Sequence, residues 1–294
     1  MSTARAPHRG AAARGGGDAS TQAQALGLRL WPHIEAALCV RRTPLLVGIS
    51  GLQGSGKSTL AAALQQIAQA RGVRSVCLSL DDFYLGRAAR QRLARTQHPL
   101  LVTRGVPGTH DLPLLRATLQ SLLRAPAGQR VRVPRFDKGR DTRRAPAHWP
   151  RVASRPSLIL LEGWCLGVPA QREAQLHQPC NALERNEDAD GRWRHYVNAR
   201  LRAYQGLWRM PQLRIWLRAP DFASARRWRE QAEQERRRHG APHALSPAQL
   251  QHFVAHYQRI SEQAQHSLQH WADVRVDLDA GHRVRRVRRP QRGA

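Results

Sequence analysis

The octapeptide Gly51-Leu52-Gln53-Gly54-Ser55-Gly56-Lys57-Ser58 constrains this chain more than any other feature. It fits G-x-x-x-x-G-K-[ST] and lies between an apolar run at 45–50 and a segment of helical composition at 58–70. Glycines let a backbone wrap close to phosphate oxygens, and the loop amides and helix N-terminus then face the anion. Lys57 reaches the β- and γ-phosphates in this arrangement, and the Ser58 hydroxyl can ligate Mg²⁺. The expected phosphate-binding set is Gly51, Gln53, Gly54, Ser55, Gly56, Lys57, Ser58 and Thr59, with ATP and Mg²⁺ as cofactors.

A strand–loop–helix of this kind commits the fold to α/β. Apolar runs at 45–50, 73–80, 157–161, 213–217 and 274–278 alternate with helical patterns at 58–70, 112–123, 192–208, 221–238 and 246–271. The expectation is an α/β fold, a parallel sheet flanked by helices. Residues 25–282 form the domain. Residues 1–24, small and polar without period, and 283–294, strongly basic, are expected to be disordered tails.

The 294 residues carry a formal net charge of +27, which raises the question of nucleic acid. The basic residues are spread evenly and are almost all arginine, so the charge implies non-specific attraction and no dedicated groove. Lysine occurs only at Lys57 and Lys138, both inside motifs. A compact ammonium and a planar fork are not interchangeable, so retained lysine in an arginine-rich chain marks sites that reject the fork. Cys39, Cys77, Cys165 and Cys180 form no C-x-x-C pair, which fits reduced thiols and a cytoplasmic location. No apolar run is long enough for a membrane span, and no segment marks an obligatory protein partner.

Five further segments carry candidate chemistry. Asp81 and Asp82, in Ser-Leu-Asp-Asp-Phe-Tyr84, follow the second strand, at the edge where open α/β sheets bind ligands. One of the two can accept a substrate hydroxyl proton or help to hold Mg²⁺. Glu162 ends the apolar run at 158–161, the Walker B pattern that serves Mg²⁺. Residues 134–143, with Asp137, Lys138 and Arg143, and residues 104–111, with His110 and Asp111, are polar loops suited to a small polyol or acid. Tyr84 joins this candidate acceptor set. Arg229, on the charged helix, is a candidate lid contact to the phosphates.

At these motifs the chain resembles the D-glycerate 3-kinases and their kinase-like relatives. The resemblance runs through VGISGLQGSGKSTL, SLDDFYL, RGVPGTHDLP, PRFDKGRDTR and LILLEGWCLG, and covers about residues 25–282. It implies a P-loop kinase fold, a parallel five-stranded sheet flanked by helices with a helical lid at about 221–245, and a kinase that phosphorylates D-glycerate to 3-phosphoglycerate, with Asp81 as general base, Glu162 serving Mg²⁺, and Lys57, Asp81 and Glu162 as the catalytic group. Three departures lie on the acceptor and lid side. Phe136 stands for a tyrosine, Asp141 and Arg143 are separated by Thr142, and Ala241 stands for a lysine. A kinase of another small alcohol, of nucleoside or pantothenate type, and a nucleic-acid-associated P-loop ATPase are the alternatives.

Overall fold

The computed structural model describes residues 14–126, 128–238 and 245–289. In chain order the elements are α1 (Arg14–Cys39), β1 (Leu45–Gly51), α2 (Lys57–Ala70), β2 (Ser75–Ser79), α3 (Arg87–Thr96), α4 (Leu112–Arg124), β3 (Arg130–Arg132), β4 (Phe136–Asp137), β5 (Thr142–Arg143), β6 (Arg151–Ala153) and β7 (Leu158–Gly163). They continue with α5 (Ala182–Glu187), α6 (Arg192–Trp208), β8 (Leu213–Arg218), α7 (Phe222–Arg238), α8 (Pro247–Ala255), α9 (Gln258–Ser267), β9 (Val274–Leu278) and β10 (Val284–Arg288). A 3-10 turn, Leu80–Phe83, follows β2.

The main sheet has six strands in the order β10-β9-β8-β1-β7-β2. Five are parallel, as the alternation of apolar runs and helices requires, and β10 is antiparallel to β9. The central strands β1 and β7 are buried at every position, so both faces are covered by helices. Register aligns their ends: Ser79 pairs with Glu162, and Glu162 with Ile49. The phosphate loop, the Asp81 turn and Glu162 therefore emerge side by side at one edge of the sheet.

The structure departs from the expected tails. Residues 14–24 are helical and continue into α1, whose Leu26, Leu30, Trp31 and Ile34 are buried in the core, with α1 packed along α2. Residues 284–288 add the sixth strand, with Val284 and Val287 packed on the core and arginines between them. An edge strand needs only one apolar side, so its composition resembles that of a basic tail. Residues 1–13 and 290–294 lie outside the described residues.

The long helix expected over 246–271 is two helices. The chain breaks at His256-Tyr257, where the Tyr257 amide bonds Val254 O and its hydroxyl donates to Arg104 O at 2.7 Å. Burying that hydroxyl on a specific carbonyl fixes the break, while the apolar stripe runs on across it. The expected lid corresponds to α7 and the segment after it; residues 239–244, Ala241 among them, lie outside the described residues.

Candidate active site

The phosphate loop turns tightly out of β1. A Cβ on Gly51 would lie 2.7 Å from Ser55 Oγ and 2.8 Å from Leu217 O, so only glycine fits there. Gly54 has φ of +78°, and a Cβ on it would meet Trp228 Cβ at 2.9 Å, so α7 rests directly on the loop. Lys57 is buried at the start of α2, and its Nζ donates to Leu52 O at 2.9 Å. Burial pulls its ammonium below the ordinary value, against the opposing pull of Glu162 and Asp81. Ser55 Oγ is buried without a partner in the loop, a hydroxyl left over for a phosphate oxygen. Gln53 reaches the Tyr257 hydroxyl. Thr59 is exposed on the first turn of α2.

Ser58 Oγ donates to Glu162 Oε1 at 2.9 Å. A hydroxyl and a carboxylate oxygen so close together form a hard-oxygen donor set of the kind Mg²⁺ takes. The orphaned Ser55 hydroxyl and this oxygen pair fit a magnesium–triphosphate complex.

Asp81 stands at the start of the 3-10 turn. Its Oδ1 accepts from the Tyr84 hydroxyl at 2.7 Å and its Oδ2 from Lys138 Nζ at 2.6 Å. Burial pushes its carboxyl up, but the Lys138 ammonium and the two hydrogen bonds outweigh burial and hold it below the ordinary range. Lys138 comes from the turn between β4 and β5, and its charge also acts on Lys57. The two lysines of the chain thus lie within range of each other's charge, with Asp81 acting on Lys57 as well.

Other expected acceptor contacts are engaged elsewhere. Asp82 accepts from Arg135 Nη1 and from the Phe136 amide, both at 3.1 Å, so it ties the β4–β5 hairpin down. Burial pushes its carboxyl up, against Arg135. Asp137 is bound into its own turn by the Gly139 and Arg140 amides, both at 3.0 Å. Asp111 caps α4 through Leu114 N and pairs with Arg143 Nη2 at 3.0 Å. Arg143 also bonds Tyr84 O, and its buried Nε is without a partner. Arg229 pairs with the fully buried Glu233 at 3.1 Å, so its charge is held within α7.

His110 is 5% exposed, with Nδ1 2.8 Å from Tyr204 Oη and its ring 4.9 Å from that of Tyr84. Tyr204 was legible in the sequence only as part of an apolar helical stripe. Also unforeseen is Asp141, which binds the buried Arg90 and Arg104 at once and so anchors the β4–β5 hairpin to α3 and to the 104–111 loop.

Beside the loop is a cavity of about 320 Å³, lined by Gly54, Gly56 and Thr59, by Ala23 and Leu26 of α1, and by the β9–β10 turn. In that turn His282 stacks on Trp228 at 4.1 Å, and its Nε2 lies 2.6 Å from Gly54 O. Ala19, Gln22 and Ala23 of α1 and Val284 of β10, all within the segments expected to be tails, thus help to wall a cavity against the phosphate loop.

No protein-family model matches the chain. It is 33% identical over 226 residues to the chloroplastic D-glycerate 3-kinase of Arabidopsis thaliana, a stretch covering 73% of this chain and 46% of that protein. The chain thus spans about half the length of that relative. It is 31% identical over 224 residues to the uncharacterised kinase mug58 of Schizosaccharomyces pombe, covering 73% of this chain and 78% of that one. The solved structure of D-glycerate 3-kinase from Cryptococcus neoformans var. grubii aligns with a TM-score of 0.69 at 24% identity, over 95% of this chain and 99% of that one.

A phosphate loop on a parallel core, with a Ser–Glu oxygen pair at the strand ends, defines the P-loop fold, and the match to mug58 over 78% of that protein makes the chain a P-loop kinase. Within that class, the chain belongs to the family of mug58 and is related to D-glycerate 3-kinase. No helix among the described residues is long and apolar enough to cross a membrane.

Proposed function

We propose that the chain transfers the γ-phosphoryl group of ATP to the terminal hydroxyl of D-glycerate, giving ADP and 3-phosphoglycerate. One observation carries the reading: the Lys138–Asp81 pair at 2.6 Å, both of whose charges act on Lys57. It joins a cation able to hold a carboxylate to an acid able to take a hydroxyl proton, beside a phosphate loop. The D-glycerate 3-kinases among the relatives support the same acceptor.

In this reading the loop amides and Lys57 hold the β- and γ-phosphates. Ser58 and Glu162 would hold Mg²⁺, which would supply charge neutralisation to the phosphates. Asp81 accepts the proton of the attacking hydroxyl, oriented by Tyr84. Lys138 takes the substrate carboxylate, Arg143, whose buried Nε is without a partner, is the second candidate cation, and His110 Nε2 takes the remaining hydroxyl. Asp82, Asp111 and Asp137 shape the hairpin and loop that carry these groups. The base of ATP lies in the cavity walled by His282.

The test is ADP release with D-glycerate, glycerol, uridine and pantothenate, with and without duplex DNA, followed by phosphorus NMR of the product. D-glycerate should turn over and yield 3-phosphoglycerate, while glycerol, lacking the carboxylate, leaves the cations unpaired and should react poorly. Equal turnover of glycerol, or a 2-phosphoglycerate product, refutes the acceptor assignment. Stimulation by DNA without phosphoryl transfer to any alcohol points to a nucleic-acid-associated ATPase.

A further inference from the structure

The 104–111 loop is braced before it presents His110. The Gly105 amide donates to Thr109 Oγ1 at 2.9 Å, and the Thr109 hydroxyl donates to Val106 O at 2.7 Å. The Gly108 amide donates to Tyr204 Oη at 3.1 Å, and that oxygen lies 2.8 Å from His110 Nδ1. Tyr204 is fully buried in α6, and His110 Nε2 is buried with no partner among the described residues.

These contacts fix where the protons sit. A phenol has one proton to give and an oxygen that accepts. The amides of Gly108 and His110 both face that oxygen. The phenol proton then has His110 Nδ1 as its acceptor. The reverse arrangement, with Nδ1–H donating, would leave the phenol proton buried and unpaired, which is the costlier choice. His110 therefore carries its proton on Nε2, the atom that has no partner.

We propose that Tyr204 is a positioning residue that fixes His110 as the Nε2–H tautomer, making that buried N–H a neutral donor to the 2-hydroxyl oxygen of the acceptor acid. The inference rests on the proposed acceptor lying against Asp81. Neutrality matters because of what surrounds the ring. Asp81 and Tyr84 face it from the 3-10 turn, Tyr204 from α6, and the Asp111–Arg143 pair follows it in the loop. Burial holds the imidazole down to about 4, against the pull of Asp81. An imidazolium in its place would pair with Asp81 and occupy the oxygen that must accept the hydroxyl proton. A neutral donor reads the hydroxyl without spending that oxygen.

The test combines nitrogen-15 NMR of the imidazoles in the full-length free protein with kinetics of Tyr204→Phe, His110→Gln and His110→Ala. The His110 signals, assigned by their loss in His110→Gln, should show a protonated Nε2 and a bare Nδ1 across neutral pH. In Tyr204→Phe the two tautomers should mix, and the KM for glycerate should rise about tenfold while the KM for ATP holds. His110→Gln, which keeps an uncharged N–H donor, should lose less than His110→Ala. An Nδ1–H tautomer in the wild type, or an unchanged glycerate KM in Tyr204→Phe, overturns the proposal. Because NMR reads the free protein, it decides the tautomer even where no acceptor is phosphorylated, an outcome that sinks the assigned reaction and not the tautomer.

Discussion

Lys138 Nζ donates to Asp81 Oδ2 at 2.6 Å, so the cation assigned to the substrate carboxylate rests, in the free protein, on the acid assigned to its hydroxyl. The Lys138 side chain is 62% exposed and reaches in from the turn that joins two short hairpin strands, so a carboxylate can compete for it. On the proposed function, substrate binding would draw the ammonium off Asp81 and leave a stronger base.

Lys138→Ala tests both halves of that exchange. The KM for glycerate should rise by about 10- to 100-fold with ATP binding kept. After burial, which acts upward, Lys138 is the main influence holding the Asp81 carboxyl down. Removing it raises that carboxyl's pKa. A base must be ionised to work, so the acid limb of kcat/KM, which reports the free enzyme, should move to higher pH. A limb that stays in place argues that Asp81 is not the base.

Lys57→Arg should cost about 10²-fold or more in kcat. The ammonium is buried and already bonded to Leu52 O, which leaves no room for a planar fork. Near-normal turnover measured by coupled ADP release would remove the steric argument and the phosphate-holding role together.

Asp81 and Asp82 are adjacent but should respond differently. Asp81→Asn should keep nucleotide binding by calorimetry and lose turnover, as the loss of a proton acceptor requires. Asp82 holds Arg135 and the Phe136 amide, so Asp82→Asn should loosen the hairpin that carries Lys138 and raise the glycerate KM more than it lowers kcat. If Asp82→Asn alone is inactive, the proton acceptor has been assigned to the wrong neighbour.

His282→Ala should weaken ATP about tenfold, a typical effect of losing a base-stacking ring. Inorganic tripolyphosphate, which needs only the phosphate loop, should bind as in the wild type, and His282→Phe should restore most of the ATP affinity. Equal loss of both ligands would mean that His282 acts by bracing Gly54, with no contact to the base.

What could be read from the sequence was whatever the backbone does locally. The loop at Gly51–Ser58, the acid after β2 and the acid ending β7 are each set by short spacing, and strand register then brings them together. The scarcity of lysine was informative in the same way, since Lys57 and Lys138 converge. Partners chosen across long stretches of chain were not legible. Tyr204 is 94 residues from His110 and, by pattern, is one more apolar position on α6. Asp82, Asp111 and Arg143 read as candidate acceptor contacts, and only the fold assigns them to one another or to backbone amides. The extra strand β10 was hidden because half its side chains face water.

That strand has a consequence for how copies of the chain meet. Arg285, Arg286 and Arg288 stand exposed along the open antiparallel edge of the sheet. Two molecules approaching edge to edge would set guanidinium against guanidinium before any backbone bond could form. Dilute buffer should therefore keep the protein dispersed. Added salt, by shortening the range of that repulsion to a few ångströms, should bring on the self-association that the charges hold off.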